Sequence, residues 1–73
     1  SYKDKIKYLD KLKRYDELLL VFDKIIEINP KDEQSYKDKI KYLDKLERYD
    51  EALLYCDKII EINPKDEQSY KDK

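Results

Sequence analysis

The side chains here that could do chemistry are carboxylates, lysines, tyrosines and a single thiol. Histidine is absent, so proton transfer would fall to Asp and Glu, whose positions follow a solvated helical pattern. The serines, Ser1, Ser35 and Ser69, are one residue repeated at a helix start. With no glycine, there is no loop to cradle a phosphate and no calcium loop of the usual kind. One cysteine without histidine makes no zinc set. The sequence therefore predicts no enzyme, no metal and no cofactor. Cys56 falls on an apolar helical face and is expected as a small buried residue, since a reactive thiol needs a cationic, partly exposed setting.

The cations are more ordered. Lys3, Lys7 and Lys11 are spaced by four, with Arg14 following; Lys37, Lys41, Lys45 and Arg48 repeat the row, and Lys71 begins another. On a helix these lysines share one face, opposite Ile6 and Leu9. Like charges four apart cost about 0.2–0.5 kcal/mol per pair, which suggests a surface made to receive an acidic segment. The plainer alternative is a solvated face, neutralised sideways by Asp10 and Asp44.

The charge total narrows the partners. Seventeen basic against eighteen acidic residues leave a net charge of −1, with no basic patch of the kind nucleic acid requires. No apolar run is long enough for a transmembrane helix, and no signal peptide is evident. The single cysteine favours a reducing, intracellular compartment.

These residues are positioned by a repeat. Ser1 to Gln34 matches Ser35 to Gln68, differing only at Lys13/Glu47, Leu18/Ala52, Val21/Tyr55 and Phe22/Cys56, and a third copy starts over 69–73. Such a period is the mark of a solenoid, in which each unit buries its apolar face only against neighbours. Tyr2, Ile6, Leu9 and Leu12 give one helical stripe, and Leu18, Leu19, Phe22, Ile25, Ile26 and Ile28 a broader one. Asn29-Pro30 stops the second helix, because the residue before proline is pushed away from helical dihedrals. Asp32 or Ser35 is placed to cap the next. The spacing predicts helices near 1–13, 16–28, 33–47 and 50–62, and a stub near 67–72, within one repeat domain over 1–73. Tyr2, Tyr8, Tyr15 and their copies are expected to pack between helices with their hydroxyls reaching water. Leu20 and Leu54 fall on the polar side of the second helices, where they could form a weak stripe.

The unit resembles a tetratricopeptide repeat over the whole chain. The resemblance is carried by the 34-residue period, by Tyr15-Asp16-Glu17 and Tyr49-Asp50-Glu51-Ala52 at the second-helix starts, and by Asn29-Pro30 and Asn63-Pro64 at their ends. Tyr2 and Tyr36 stand where the family usually has an aromatic. The resemblance implies an all-α, right-handed α-solenoid of antiparallel helix pairs, with first helices lining a concave groove that binds peptides or helices. Lys3, Lys7, Lys11, Lys37, Lys41, Lys45 and Asp44 would then line that groove. The family's carboxylate clamp is not reproduced, and its specificity is not implied: Lys3 and Lys37 fit its first lysine, but Lys7, Lys41, Asp4 and Asp38 stand where asparagines would be. Ile6, Ile40, Ile25, Ile59 and Leu18 replace small residues of the family, and Lys13 and Glu47 replace a turn glycine. The larger residues should widen the helix spacing or change the crossing angle.

A chain of this length buries only roughly 60% of its unfolded surface, and solenoids ordinarily carry a polar terminal cap. No distinct cap is visible, and the register at which the sequence opens and closes suggests excision from, or imitation of, a longer array. Leu53, Ile59, Ile60 and Tyr70 are expected to form a partly covered end. Covering about 300 Å² of apolar surface would contribute on the order of 7 kcal/mol before association costs. The expected function is a protein-interaction scaffold whose partners are an acidic segment in the groove and further copies joined head to tail or by domain swap. The alternative is a purely structural or self-assembling unit without a groove ligand.

Overall fold

Each apolar stripe demands a neighbouring helix, and the chain supplies them in order. The computed structural model describes residues 1–65, which form four helices: α1 Tyr2–Lys11, α2 Tyr15–Ile28, α3 Glu33–Lys45 and α4 Tyr49–Ile62. No strand occurs among the described residues. The helix backbones pack as α1 on α2, α2 on α3 and α3 on α4, while those of α1 and α4 do not approach each other. The expected helices near 1–13, 16–28, 33–47 and 50–62 correspond to these four; the stub near 67–72 lies outside the described residues.

The first helix of each pair stops earlier than its pattern suggests, for a backbone reason. Lys13 and Glu47 take positive φ, 57° and 58°. Lys13 N–H donates to Asp10 C=O at 3.0 Å and Arg14 N–H to Leu9 C=O at 2.9 Å, and Glu47 and Arg48 repeat the pair on Asp44 and Leu43. This double closure satisfies the last carbonyls of α1 and α3 and turns the chain back. The left-handed position usually taken by glycine is held here by lysine and glutamate.

The longer turn between the pairs has another device. Asn29 ends α2 in extended geometry, and its side-chain oxygen accepts from Lys31 N–H at 3.2 Å; Asn63 does the same for Lys65 at 3.3 Å. Asp32 occupies the cap position of α3, but its carboxylate accepts from the Ser35 hydroxyl at 2.8 Å and makes no side-chain bond to the helix backbone. The expected side-chain cap is therefore not formed; the two candidate capping residues bond each other instead.

The core lies where α2 meets its neighbours. Leu9, Leu18, Leu19, Val21, Phe22, Tyr42 and Leu43 are buried together, and Ile6, Tyr15, Ile25, Leu46, Ala52 and Tyr55 pack around them. Phe22, Leu18 and Leu43 are the largest side chains wholly removed from solvent. Nearly all of the core belongs to α2 and the helices on either side of it, so the middle of the array is its best-packed part.

Candidate interaction interface

The internal junction defines how two repeats meet. Tyr42 of α3 lies against Tyr15 and Phe22 of α2, with ring centroids 5.4 and 5.8 Å apart. Its hydroxyl donates to Asp10 Oδ1 at 3.0 Å. Burial pushes the Tyr42 phenol up, and the adjacent Asp10 carboxylate adds to the shift, to about 12. Tyr36 donates to the Pro30 carbonyl at 2.9 Å. The hydroxyls of Tyr36 and Tyr42 therefore reach protein acceptors, where the spacing alone suggested water.

A buried cation ties three helices together. Lys39, only 6% exposed, donates from Nζ to Asp23 Oδ1 of α2 at 2.5 Å and to the Tyr55 hydroxyl of α4, and lies 3.9 Å from the centroid of the Tyr55 ring. Burial pulls the ammonium down, but the hydrogen bonds to Asp23 and Tyr55 outweigh it and leave Lys39 raised. Sequence reasoning missed this residue, because Lys39 repeats the exposed Lys5. The available signal was Val21 becoming Tyr55, which places a hydroxyl and a ring face where the lysine needs them. Nearby, Arg48 bonds Glu51 at 2.8 Å and reaches Asp16 at 3.5 Å.

The ends carry the same residue types uncovered. Tyr8 is 56% exposed where its counterpart Tyr42 is 5% exposed; Leu53 is 58% exposed where Leu19 is 6%. Tyr2, Leu12 and Tyr49 are also exposed. Of the residues expected at a partly covered end, Leu53 is exposed and Ile60 half-buried, while Ile59 is buried and is corrected to an interior residue. Ile59 shares a helical stripe with Ala52 and Tyr55, which pack on the core, whereas Leu53 and Ile60 share theirs with exposed Tyr49. Tyr70 lies outside the described residues. Cys56 is half-buried, a second correction, since among the described helices α4 packs on α3 alone whereas α2, which carries Phe22, lies between two. Leu20 and Leu54 are exposed, as their place on the polar side implies.

The lysines of the predicted groove, Lys3, Lys7, Lys11, Lys37, Lys41 and Lys45, are all exposed, as is Asp44. Lys41 lies 5.3 Å from the centroid of the Tyr42 ring and Lys45 5.7 Å from that of Tyr15. A cleft of about 450 Å³ opens between α1 and α3 over Ile6, Phe22 and Ile25. Of the six lysines only Lys3 lines it, and its other wall carries Asp32 and Asp38. The structure therefore places most of the basic row outside the cleft and brings carboxylates into it. Lys71, which begins the next row, lies outside the described residues.

Among the described residues no helix is long and apolar enough to cross a membrane, and no cluster of His, Cys, Asp and Glu could hold a metal ion. Comparison with protein families, curated proteins and solved structures finds no match for this chain.

Proposed function

We propose that this chain is a non-catalytic protein-interaction scaffold of tetratricopeptide-like repeats, stacked as a right-handed solenoid, whose foremost partner is a further copy joined end to end. The observation that carries this is the contrast between identical residue types. Tyr42 and Leu19 are buried at the internal junction, while Tyr8 and Leu53 present the same side chains at opposite ends. Each end is half of an interface whose completed form exists in the middle of the molecule. Exposed apolar surface of this kind marks an association site in a small protein.

Sedimentation of the 73-residue chain tests the reading. The average mass should rise steadily from micromolar to millimolar protein, without a plateau at the dimer, because a head-to-tail contact leaves both outer ends open. A chain that remains a monomer throughout would refute it.

A second surface supports a second partner. The exposed row Lys7, Lys11, Lys41 and Lys45, with aromatic rings beside it, suits an acidic peptide held on the ridge of the first helices more than in the cleft, where Asp32 and Asp38 would repel it. Such binding would weaken as salt screens the exposed charges and would be lost on Lys41→Glu. No binding of either acidic or neutral peptides, together with end-to-end association, would leave the chain a purely structural, self-assembling unit.

A further inference from the structure

The first helices share a charge gradient. α1 and α3 run in the same direction: Lys3 and Ile6 line one cleft with Gln34 and Asp38, and further along Asp10 accepts from the Tyr42 hydroxyl. On α3, Gln34, Asp38, Lys41 and Lys45 follow at intervals of four, three and four residues, so they form one stripe. The stripe is acidic toward the start of the helix and basic toward its end. On α1, Asp4, Lys7 and Lys11 repeat that order. The order also suits both helix dipoles, so it favours the helices that carry it.

The charges at the two ends are not cancelled by their immediate partners. Asp32 accepts from the Ser35 hydroxyl at 2.8 Å and Asp38 from the Gln34 amide at 3.0 Å, and both donors are neutral. Lys41 and Lys45 lie over the rings of Tyr42 and Tyr15. Asp10 is engaged by Tyr42, and among the described residues Asp44 forms no ion pair with either lysine. At the acidic end the floor is apolar, with half-buried Ile6 and Ile25, and the two carboxylates there stand against one lysine, Lys3.

We propose that this surface takes an extended, bipolar segment of a partner protein, with a lysine or arginine at one end and acidic residues about three positions away. Its cation lays an aliphatic stem on Ile6 and Ile25 and brings its head to Asp32 and Asp38, as long basic side chains do at a wet apolar surface. Its acidic residues meet Lys41 and Lys45. Asp38 and Lys45 are seven residues apart, about 10 Å along the helix axis, which an extended chain covers in about three residues. This rests on the acidic-peptide reading above and adds an orientation to it: the basic end of the segment points to the start of α3. A wholly acidic segment is held at the basic end alone and repelled at the other.

Two fluorescent, capped peptides that differ at one position test this by titration at low salt. Both carry two glutamates after two serines; ahead of the serines one has lysine and the other glutamate. The unsubstituted chain should prefer the lysine peptide by about threefold or more, the size of one partly exposed ion pair. Asp38→Lys should reverse the preference and Asp38→Asn should narrow it, while Lys45→Glu should weaken both peptides. Should Asp38→Lys lose its helical circular dichroism, Asp38→Asn carries the test. Equal affinity of the unsubstituted chain for the two peptides, or a preference that the Asp38 variants leave unchanged, overturns the bipolar seat and leaves the acidic-peptide reading standing. Binding of neither peptide overturns both.

Discussion

At the scale of single residues, context decides what a side chain does, because each residue type here is used twice. Lys5 is a solvated surface lysine, and Lys39 is a buried cation with a carboxylate, a hydroxyl and a ring face around it. Tyr8 is exposed, whereas Tyr42 is a buried phenol bonded to Asp10. A pH dependence follows. An unfolded tyrosine titrates near pH 10 and an unfolded lysine slightly above it, at about 10.4. Native Tyr42 is pushed up to about 12, and Lys39 is raised as well. Both are held protonated by the fold, so over this interval the unfolded chain binds fewer protons than the native one and stability falls as pH rises. Their contribution is fully present below the unfolded pKa values and is lost as pH passes through the folded ones. Thermal melts between about pH 9 and pH 12 should show a falling Tm, and Tyr42→Phe should flatten that fall. If the variant and the unsubstituted chain lose Tm in parallel, Tyr42 does not contribute to the slope.

At the scale of elements, helix-period stripes in Tyr2, Ile6, Leu9 and in Leu18, Leu19, Phe22 made four helices legible, and Asn29-Pro30 marked where a pair ends. Less legible were the first-helix stops, since Lys13 and Glu47 are ordinary helix formers by type and reveal their role only through positive φ. A left-handed residue with a Cβ costs roughly 1–2 kcal/mol, part of which glycine returns by greater freedom in the unfolded chain. Glu47→Gly is therefore expected to stabilise the protein by about 0.5–1 kcal/mol. It should appear as a higher denaturant midpoint at unchanged slope. Asp44→Gly, three residues earlier inside α3, should instead destabilise by about 0.5–1 kcal/mol, since glycine is a poor residue within a helix. The same change of sign is expected for Lys13→Gly against Asp10→Gly in α1. A destabilising Glu47→Gly would show that the glutamate side chain matters more than the strain at its backbone.

At the scale of the whole molecule, the sequence made the repeat plain but left open which copies of each residue are covered. Burial depends on having a neighbour, and a pattern repeated at 34 residues assigns the same face to Leu19 and Leu53 whether or not a helix lies upon it. The groove reading suffered likewise: a row of lysines is visible in the spacing, but the acidic wall of Asp32 and Asp38 arises only when α1 and α3 are brought together. One sequence difference is placed to set the strength of the proposed assembly. Phe22 is 1% exposed beneath Tyr42, and its counterpart Cys56 would bring far less apolar surface and no ring of its own to the proposed junction between chains. Restoring the ring with Cys56→Phe should make that junction resemble the internal one. An aromatic pair contributes about 0.5–1.5 kcal/mol beyond the area it buries, so with the added area self-association should tighten roughly tenfold. Sedimentation of the variant beside the unsubstituted chain measures this directly. Weaker association of a well-folded Cys56→Phe would mean that α4 meets a second copy through a face other than the one α2 uses.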